Sequence, residues 1–312
     1  PAGDGSFRGG PAYYISRGLG SRTWAGIFAV VITFVFGFAY EATQANAISS
    51  ILYDTYKMPK WVTAVGLLVL TAPIIFKGIR RVARIAEWVA PLMAQAYALL
   101  ALAVLAVQVE RIPEALAQIF QGAFGLKSAF YGIGGGLYAA VLNGVKRGLF
   151  SNEAGEGSVP NVAATATTSH PVNQGFIQSM GVFVDTIIVC TATALIVLLS
   201  GVYDPVRALS SPEAAAAAKT AASSLTSDSV ASVLGPWAST LMVLIVFVFA
   251  YSSLLGNYTY AQVNMDFLRG TGHRHYALRL MIVAAAGIGA MASLNFVWNL
   301  SDVVMGLMAI IN

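Results

Sequence analysis

Long apolar runs separated by short polar segments dominate this chain, and no stretch shows the alternation of a β-strand. A membrane-crossing helix needs about 20 predominantly apolar residues. We predict eight spans, several of them shorter or longer than that mean: residues 24–52, 61–76, 88–109, 129–142, 176–200, 237–265, 276–294 and 296 onward. The pattern predicts an all-α polytopic membrane protein, with residues 1–312 in a single transmembrane domain.

Composition points to lipid as the main solvent. The chain is 57% hydrophobic and 10% charged, whereas soluble domains carry about 25% charged residues. Its net charge of +4 comes from short clusters of bases between apolar runs, a distribution that does not favour nucleic-acid binding.

These base clusters predict the orientation of the chain. They lie before the first span and after the second, fourth and sixth, on one side of the predicted membrane: Arg8, Arg17, Arg22; Lys77, Arg80, Arg81, Arg84; Lys146, Arg147; Arg269, Arg274, Arg279. The opposite loops carry mixed charge. Since basic loops remain in the cytoplasm, residues 1–22 are predicted to be cytoplasmic.

Two of the predicted spans carry polar stripes at helical spacing. The first span has Thr33, Gly37, Tyr40 and Gln44 on one face, and the span 237–265 has Ser253, Asn257, Tyr260 and Asn264, with Ser252 alongside. Polar groups inside a membrane normally face a cavity or a neighbouring helix. The stripes therefore predict a transport pathway or, alternatively, packing contacts in a scaffold or channel that performs no coupled transport.

Three carboxylates also fall within apolar runs, namely Glu41, Asp185 and Asp302. Each is a candidate proton carrier or cation ligand. Asp185, which is followed by Thr186, and Asp302, which is preceded by Ser301, are also candidates for local helix or interface contacts. The sequence offers no motif of a catalytic site, so we predict that the protein is not an enzyme and needs no cofactor.

One long motif carries a family resemblance. Residues 144–160 read GVKRGLFSNEAGEGSVP, and further matching segments are GGPAYYI (9–15), QANAIS (44–49), GVFVDTIIVCTATALIVL (181–198) and SDVVMGLMAIIN (301–312). In these segments the chain resembles the alanine or glycine:cation symporter family. The resemblance implies sodium-coupled symport of a small neutral amino acid across the bacterial inner membrane, with sodium as a co-transported ion.

The resemblance also implies a LeuT-like fold of the APC superfamily, with two inverted five-helix repeats that are incomplete at both ends of this chain. The first two helices and the last are expected to be missing. The family's third helix then supplies Gln44 and Asn46 to the substrate, and its broken sixth helix falls within residues 133–150, with Phe150 at the substrate. Ser252 and Ser253 of the eighth helix are implied sodium ligands, and Asn257 lines the substrate cavity.

Three positions depart from the family pattern. Asn257 stands in SSLLGN where a tryptophan is usual, Glu156 replaces a residue that is usually apolar, and Ile311 stands where a proline is common. An amide in place of a large ring predicts a wider, more polar cavity, which favours serine, threonine or another polar substrate beside alanine.

Overall fold

The computed structural model describes residues 7–77, 79–124, 133–203, 211, 213, 221–271 and 273–312, and these ranges contain helices but no strands. The α-helices, in chain order, are α1 (Pro11–Gly18), α2 (Arg22–Phe34), α3 (Tyr40–Tyr56), α4 (Lys60–Ile75), α5 (Ile79–Val107), α6 (Ile112–Phe124), α7 (Ile133–Asn152), α8 (Val159–Ala163), α9 (Pro171–Phe183), α10 (Thr191–Ser200), α11 (Leu225–Leu234), α12 (Pro236–Arg269), α13 (Tyr276–Met291) and α14 (Leu294–Ile311).

Two π-helical segments interrupt long apolar helices. Val35–Ala39 joins α2 to α3, and Val184–Cys190 joins α9 to α10. A π-turn contains one residue more than an α-turn, so it rotates the side chains that follow it. In the first span this rotation moves Tyr40 and Gln44 away from the helix face that carries Thr33. The spacing alone did not predict this change.

Five helical stretches in the described ranges are long and apolar enough to cross a membrane. They are Arg22–Tyr56, Glu87–Val107, Pro171–Ser200, Pro236–Arg269 and Leu294–Ile311, and the shorter apolar helices are α4 and α13. These helices confirm an all-helical, polytopic membrane protein. The count of eight spans stays a prediction, since the run 129–142 begins outside the described residues.

The prediction of a broken helix within residues 133–150 is wrong for these residues, because they belong to the continuous helix α7. A glycine costs an exposed helix about 1 kcal/mol relative to alanine, and it lowers helix stability without forcing a break. A glycine-rich run therefore permits an opening but does not require one.

The described chain forms two compact units. The first contains residues 1–93, 153–179 and 246–312, and the second contains residues 94–152 and 180–245. In the first unit α13 packs against α3 and α4, and α14 packs against α3. In the second unit α6 and α10 pack around Ala115, Leu195 and Leu199, and Arg111 donates a hydrogen bond to the Leu199 carbonyl at 2.7 Å.

Helix ends follow local chemistry. The Ser21 hydroxyl accepts a hydrogen bond from the Trp24 amide, and the Ser293 hydroxyl accepts one from Phe296, both at 3.3 Å. Such N-caps satisfy amides that have no partner within the helix. The cap at Ser293 lets α14 start directly after α13, so the two predicted spans at 276–294 and 296 onward are separate helices.

Candidate substrate and sodium site

A buried polar pair joins the two stripe-bearing helices in the first unit. The Asn257 amide nitrogen on α12 donates to Glu41 Oε2 on α3 at 3.3 Å, and both side chains are buried. The second oxygen, Oε1, is buried and has no hydrogen-bond partner. No basic side chain forms a salt bridge with Glu41 within the described ranges. Among the described residues, the Glu41 carboxyl therefore has no basic partner, and its oxygen Oε1 is an unused hydrogen-bond acceptor between apolar helices.

Aromatic contacts hold the two helices close beside this pair. The Phe36 ring lies 4.4 Å from Tyr260 and 4.9 Å from Tyr40, measured between ring centroids. Phe36 precedes α3 and Tyr260 lies on α12, so apolar packing between them fixes the approach of Glu41 to Asn257. Aromatic pairs at such separations are worth about 0.5–1.5 kcal/mol beyond the area they bury.

The predicted substrate residues of the first span differ in their surroundings. Gln44 is half-buried. Asn46 is fully buried, and its amide nitrogen donates to the carbonyls of Gly289 and Ala292 at 2.9 and 2.8 Å. Those two bonds hold the C-terminal end of α13 against α3. A substrate role for Asn46 stays a prediction and would use the buried oxygen Oδ1, which has no hydrogen-bond partner.

The remaining predicted site residues lie on two helices. Phe150 is half-buried on α7 in the second unit. Ser252 and Ser253 lie on the part of α12 that belongs to the first unit; the Ser252 hydroxyl donates to the Phe249 carbonyl at 2.8 Å, and Ser253 is exposed. A hydroxyl that donates to a carbonyl keeps its lone pairs for a cation, so this bond is compatible with sodium binding. Both sodium ligands stay predictions.

The other two carboxylates of the apolar runs differ in position. Asp185 lies in the π-helical segment of the second unit and accepts a hydrogen bond from the Ser151 hydroxyl at 2.5 Å. Asp302 is half-buried on α14 in the first unit. Asp185 therefore has the local contact that the sequence left open as an alternative to ion binding.

Several buried polar contacts were not predicted from the sequence. The hydroxyls of Thr43 and Ser301 lie 2.7 Å apart, Asn264 donates to Asn161 Oδ1 at 2.9 Å, and Tyr40 donates to Glu156 Oε2 at 3.0 Å. Each contact joins residues more than 100 positions apart in the chain. The helical spacing marked Tyr40 and Asn264 as polar positions, but it gave no information about their partners.

Comparison with known proteins gives one family. The sequence model described as the sodium:alanine symporter family matches residues 1–312. An uncharacterized transporter of Haemophilus influenzae is 43% identical over 312 residues. The amino-acid carrier protein AlsT of Bacillus subtilis is 41% identical over 307 residues, and the probable sodium/glutamine symporter GlnT of the same organism is 39% identical over 306 residues.

These alignments cover 98–99% of this chain but only 61–62% of each relative. The chain therefore spans less than two thirds of the length of the curated relatives that it matches.

Proposed function

Because the chain belongs to the sodium:alanine symporter family, we propose that its protein performs sodium-coupled symport of a small neutral amino acid by alternating access. Alanine and glycine are the first candidate substrates. The observation that carries the proposal is the buried Glu41–Asn257 pair, which places hydrogen-bonding groups where apolar helices meet. A polar ligand needs such groups because lipid and apolar side chains offer it none.

The setting that we propose is the bacterial inner membrane, with lipid around the apolar helices. We propose a LeuT-like arrangement of inverted repeats in which substrate and sodium bind near the membrane midplane. Large exposed apolar side chains such as Trp88, Phe176 and Ile310 fit a lipid-facing surface. The transmembrane potential supplies about 2.3 kcal/mol per charge at 100 mV, enough to drive roughly 50-fold accumulation of substrate.

The substrate range is proposed to extend to polar side chains. Asn257 offers an amide where the family pattern has a ring, and Glu41 Oε1 offers a buried acceptor beside it. An acceptor of this kind suits a hydroxyl or amide donor on the substrate. The relative named as a probable sodium/glutamine symporter makes glutamine a further candidate to test beside serine and threonine.

Counterflow in proteoliposomes tests the proposed activity. Proteoliposomes that contain the full-length protein are loaded with unlabelled alanine. They should accumulate labelled alanine transiently when sodium is present, and only weakly when choline replaces sodium. Competition by glycine, serine and glutamine then ranks the substrates. Equal counterflow with and without sodium would contradict the sodium coupling, and no counterflow with any of these amino acids would contradict the proposed substrate class.

Ser253→Ala combined with Ser252→Ala is expected to raise the sodium concentration for half-maximal uptake about tenfold or more, because loss of a polar contact to a charged ligand costs about 1.5–3 kcal/mol. Sodium prefers oxygen ligands, and the substitution removes two hydroxyls. Ser232→Ala is the matched control, since that hydroxyl makes a similar bond to the Ser229 carbonyl at 2.8 Å. Unchanged sodium dependence in the double variant would place the sodium site elsewhere.

A further inference from the structure

Glu156 is a buried carboxyl outside the candidate membrane spans, in the segment 153–158 between α7 and α8. Its side chain is 0% exposed, and its Oε2 accepts the hydrogen bond from the Tyr40 hydroxyl of α3 at 3.0 Å. Its other oxygen, Oε1, is buried without a hydrogen-bond partner. This carboxyl therefore has one neutral donor for two oxygens that are removed from water.

A second carboxyl, Glu153, lies close enough to Glu156 for their charges to repel. Glu153 has a left-handed backbone, with φ at 50°, and its Oε2 is buried without a hydrogen-bond partner. The hydroxyls of Ser158 and Tyr260 lie beside Glu153. The two carboxyls with these hydroxyls form what we call the acid pair site.

The charge balance of the acid pair site is unfavourable when both acids are ionised. The titratable groups that face the pair are the hydroxyls of Tyr40 and Tyr260, and Asp302 adds a further negative charge near Tyr40. None of these groups is basic. Burial of one unpaired charge is strongly unfavourable, and repulsion between two like charges adds to this cost. One proton on the pair removes most of the penalty.

The electrostatics of Glu156 agree with this balance. Burial, together with the neighbouring Glu153 charge, raises the pKa of Glu156 to about 8 in spite of the hydrogen bond from Tyr40. Burial also raises the pKa of Glu153. Two carboxyls that share one site commonly hold a proton between them in this way.

An independent feature of the site points to a bound proton. The Ser158 hydroxyl is 0% exposed, makes no hydrogen bond, and lies beside Glu153. A buried hydroxyl without a partner is unfavourable, because it has lost its hydrogen bonds to water. A protonated carboxyl can both donate and accept, whereas a carboxylate only accepts. One proton on the pair therefore adds a donor for the buried oxygens that have none, Glu153 Oε2, Glu156 Oε1 and the acceptor side of the Ser158 hydroxyl.

We propose that Glu153 and Glu156 together bind one exchangeable proton, which controls how the segment 153–158 packs on α3. With the proton bound, Glu156 stays buried against Tyr40. After proton loss, the cost of keeping the unpaired carboxylate charges out of water favours separation of the segment from α3, because separation returns the carboxylates to water. Tyr40 directly precedes Glu41, so this movement acts on the helix that carries Glu41, the partner of Asn257. Proton binding itself does not depend on which substrate is transported.

The sign of the pH effect follows from the raised pKa. Between about pH 4.5, where the unfolded side chain titrates, and about pH 8, the folded protein binds more protons than the unfolded chain. The stability of the folded state should therefore fall as pH rises through this window. Above about pH 8 the carboxyl is ionised in the folded protein as well, and the full cost of its buried charge lowers the stability of the folded state.

Thermal unfolding of the full-length protein in detergent, measured at several pH values from about 5.5 to 9, tests the site. The wild-type Tm should fall over this range by several degrees more than the Tm of Glu156→Gln, which imitates the protonated acid and cannot ionise. Glu114→Gln removes an exposed carboxyl on α6 and is the control, with a wild-type slope expected. Equal slopes for wild type and Glu156→Gln would overturn the proposal.

Infrared difference spectroscopy gives a second readout that works even if Glu156→Gln does not fold. The wild-type protein should show the C=O stretch of a protonated carboxyl at pH 6 and lose it with a midpoint near pH 8. Absence of that band at pH 6 would overturn the proposal. Loss of the band on addition of sodium at pH 6 would also overturn it, because it would assign a metal cation to the pair. Neither readout requires amino-acid transport.

Discussion

Gly289→Ala is expected to prevent accumulation of stable folded protein. A Cβ atom at this position would lie 2.4 Å from both Cα and O of Ala42, and these are backbone atoms of α3 that cannot rotate away. Accommodation requires α13 to move from α3, and overpacking of this kind costs roughly 3 kcal/mol or more. The movement would also stretch the hydrogen bond from Asn46 to the Gly289 carbonyl. The measurement is the Tm and the monodisperse yield of the full-length protein in detergent.

Gly287→Ala provides the matched control on the same helix. Its Cβ would meet Leu68 Cδ2 at 3.3 Å, and the end of a leucine side chain can shift by a few tenths of an ångström. We expect a near wild-type Tm for this variant. If Gly289→Ala is as stable as Gly287→Ala, the close approach of α13 to α3 described above does not exist in the protein.

Asn257→Leu is expected to lower amino-acid uptake at least tenfold and to destabilise the protein. The substitution removes the amide that donates to Glu41 Oε2 and leaves both oxygens of a fully buried carboxyl without a donor. Loss of a buried partner costs about 1–3 kcal/mol, and more for a charged group. Leucine has a similar size, so the effect arises from the lost hydrogen bond and not from a cavity.

A double-mutant cycle isolates this contact. Glu41→Leu alone leaves the Asn257 amide unpaired, whereas Glu41→Leu with Asn257→Leu removes both polar partners. The double variant should regain much of the stability that the single variants lose, while uptake stays low because the polar site is absent. Additive stability losses in the cycle would contradict a direct hydrogen bond. Wild-type uptake by the double variant would show that the pair has no part in transport.

Most of the helical structure was predictable because it depends on local sequence. Long apolar runs form helices wherever the backbone is removed from water, since each amide must find a partner within its own segment. The predicted runs 24–52 and 237–265 correspond to Arg22–Tyr56 and Pro236–Arg269. The π-helical segment Val35–Ala39 was not predicted, because the spacing of apolar and polar residues was interpreted with a uniform α-helical period.

The candidate site was predictable only in part. Helical spacing identified Asn257 and Tyr40 as polar positions within spans, and it identified Glu41 as an acid in an apolar run. It did not pair Glu41 with Asn257 or Tyr40 with Glu156. Spacing describes the faces of one helix, whereas a pair across helices also depends on which faces meet and at what depth.

The sequence alone determined that lipid is the main solvent of this protein, that the protein is all-helical, and to which family it belongs. Hydrophobic content and the motif at 144–160 are properties of the chain itself and need no partner. Only the tertiary structure decided that Asn46 holds the end of α13, that Gly289 meets the backbone of Ala42, and that Glu156 is buried against Tyr40. The physical reason is that a buried polar group takes its partner from whatever the fold brings within hydrogen-bond distance. Residues more than 100 positions away supply that partner here.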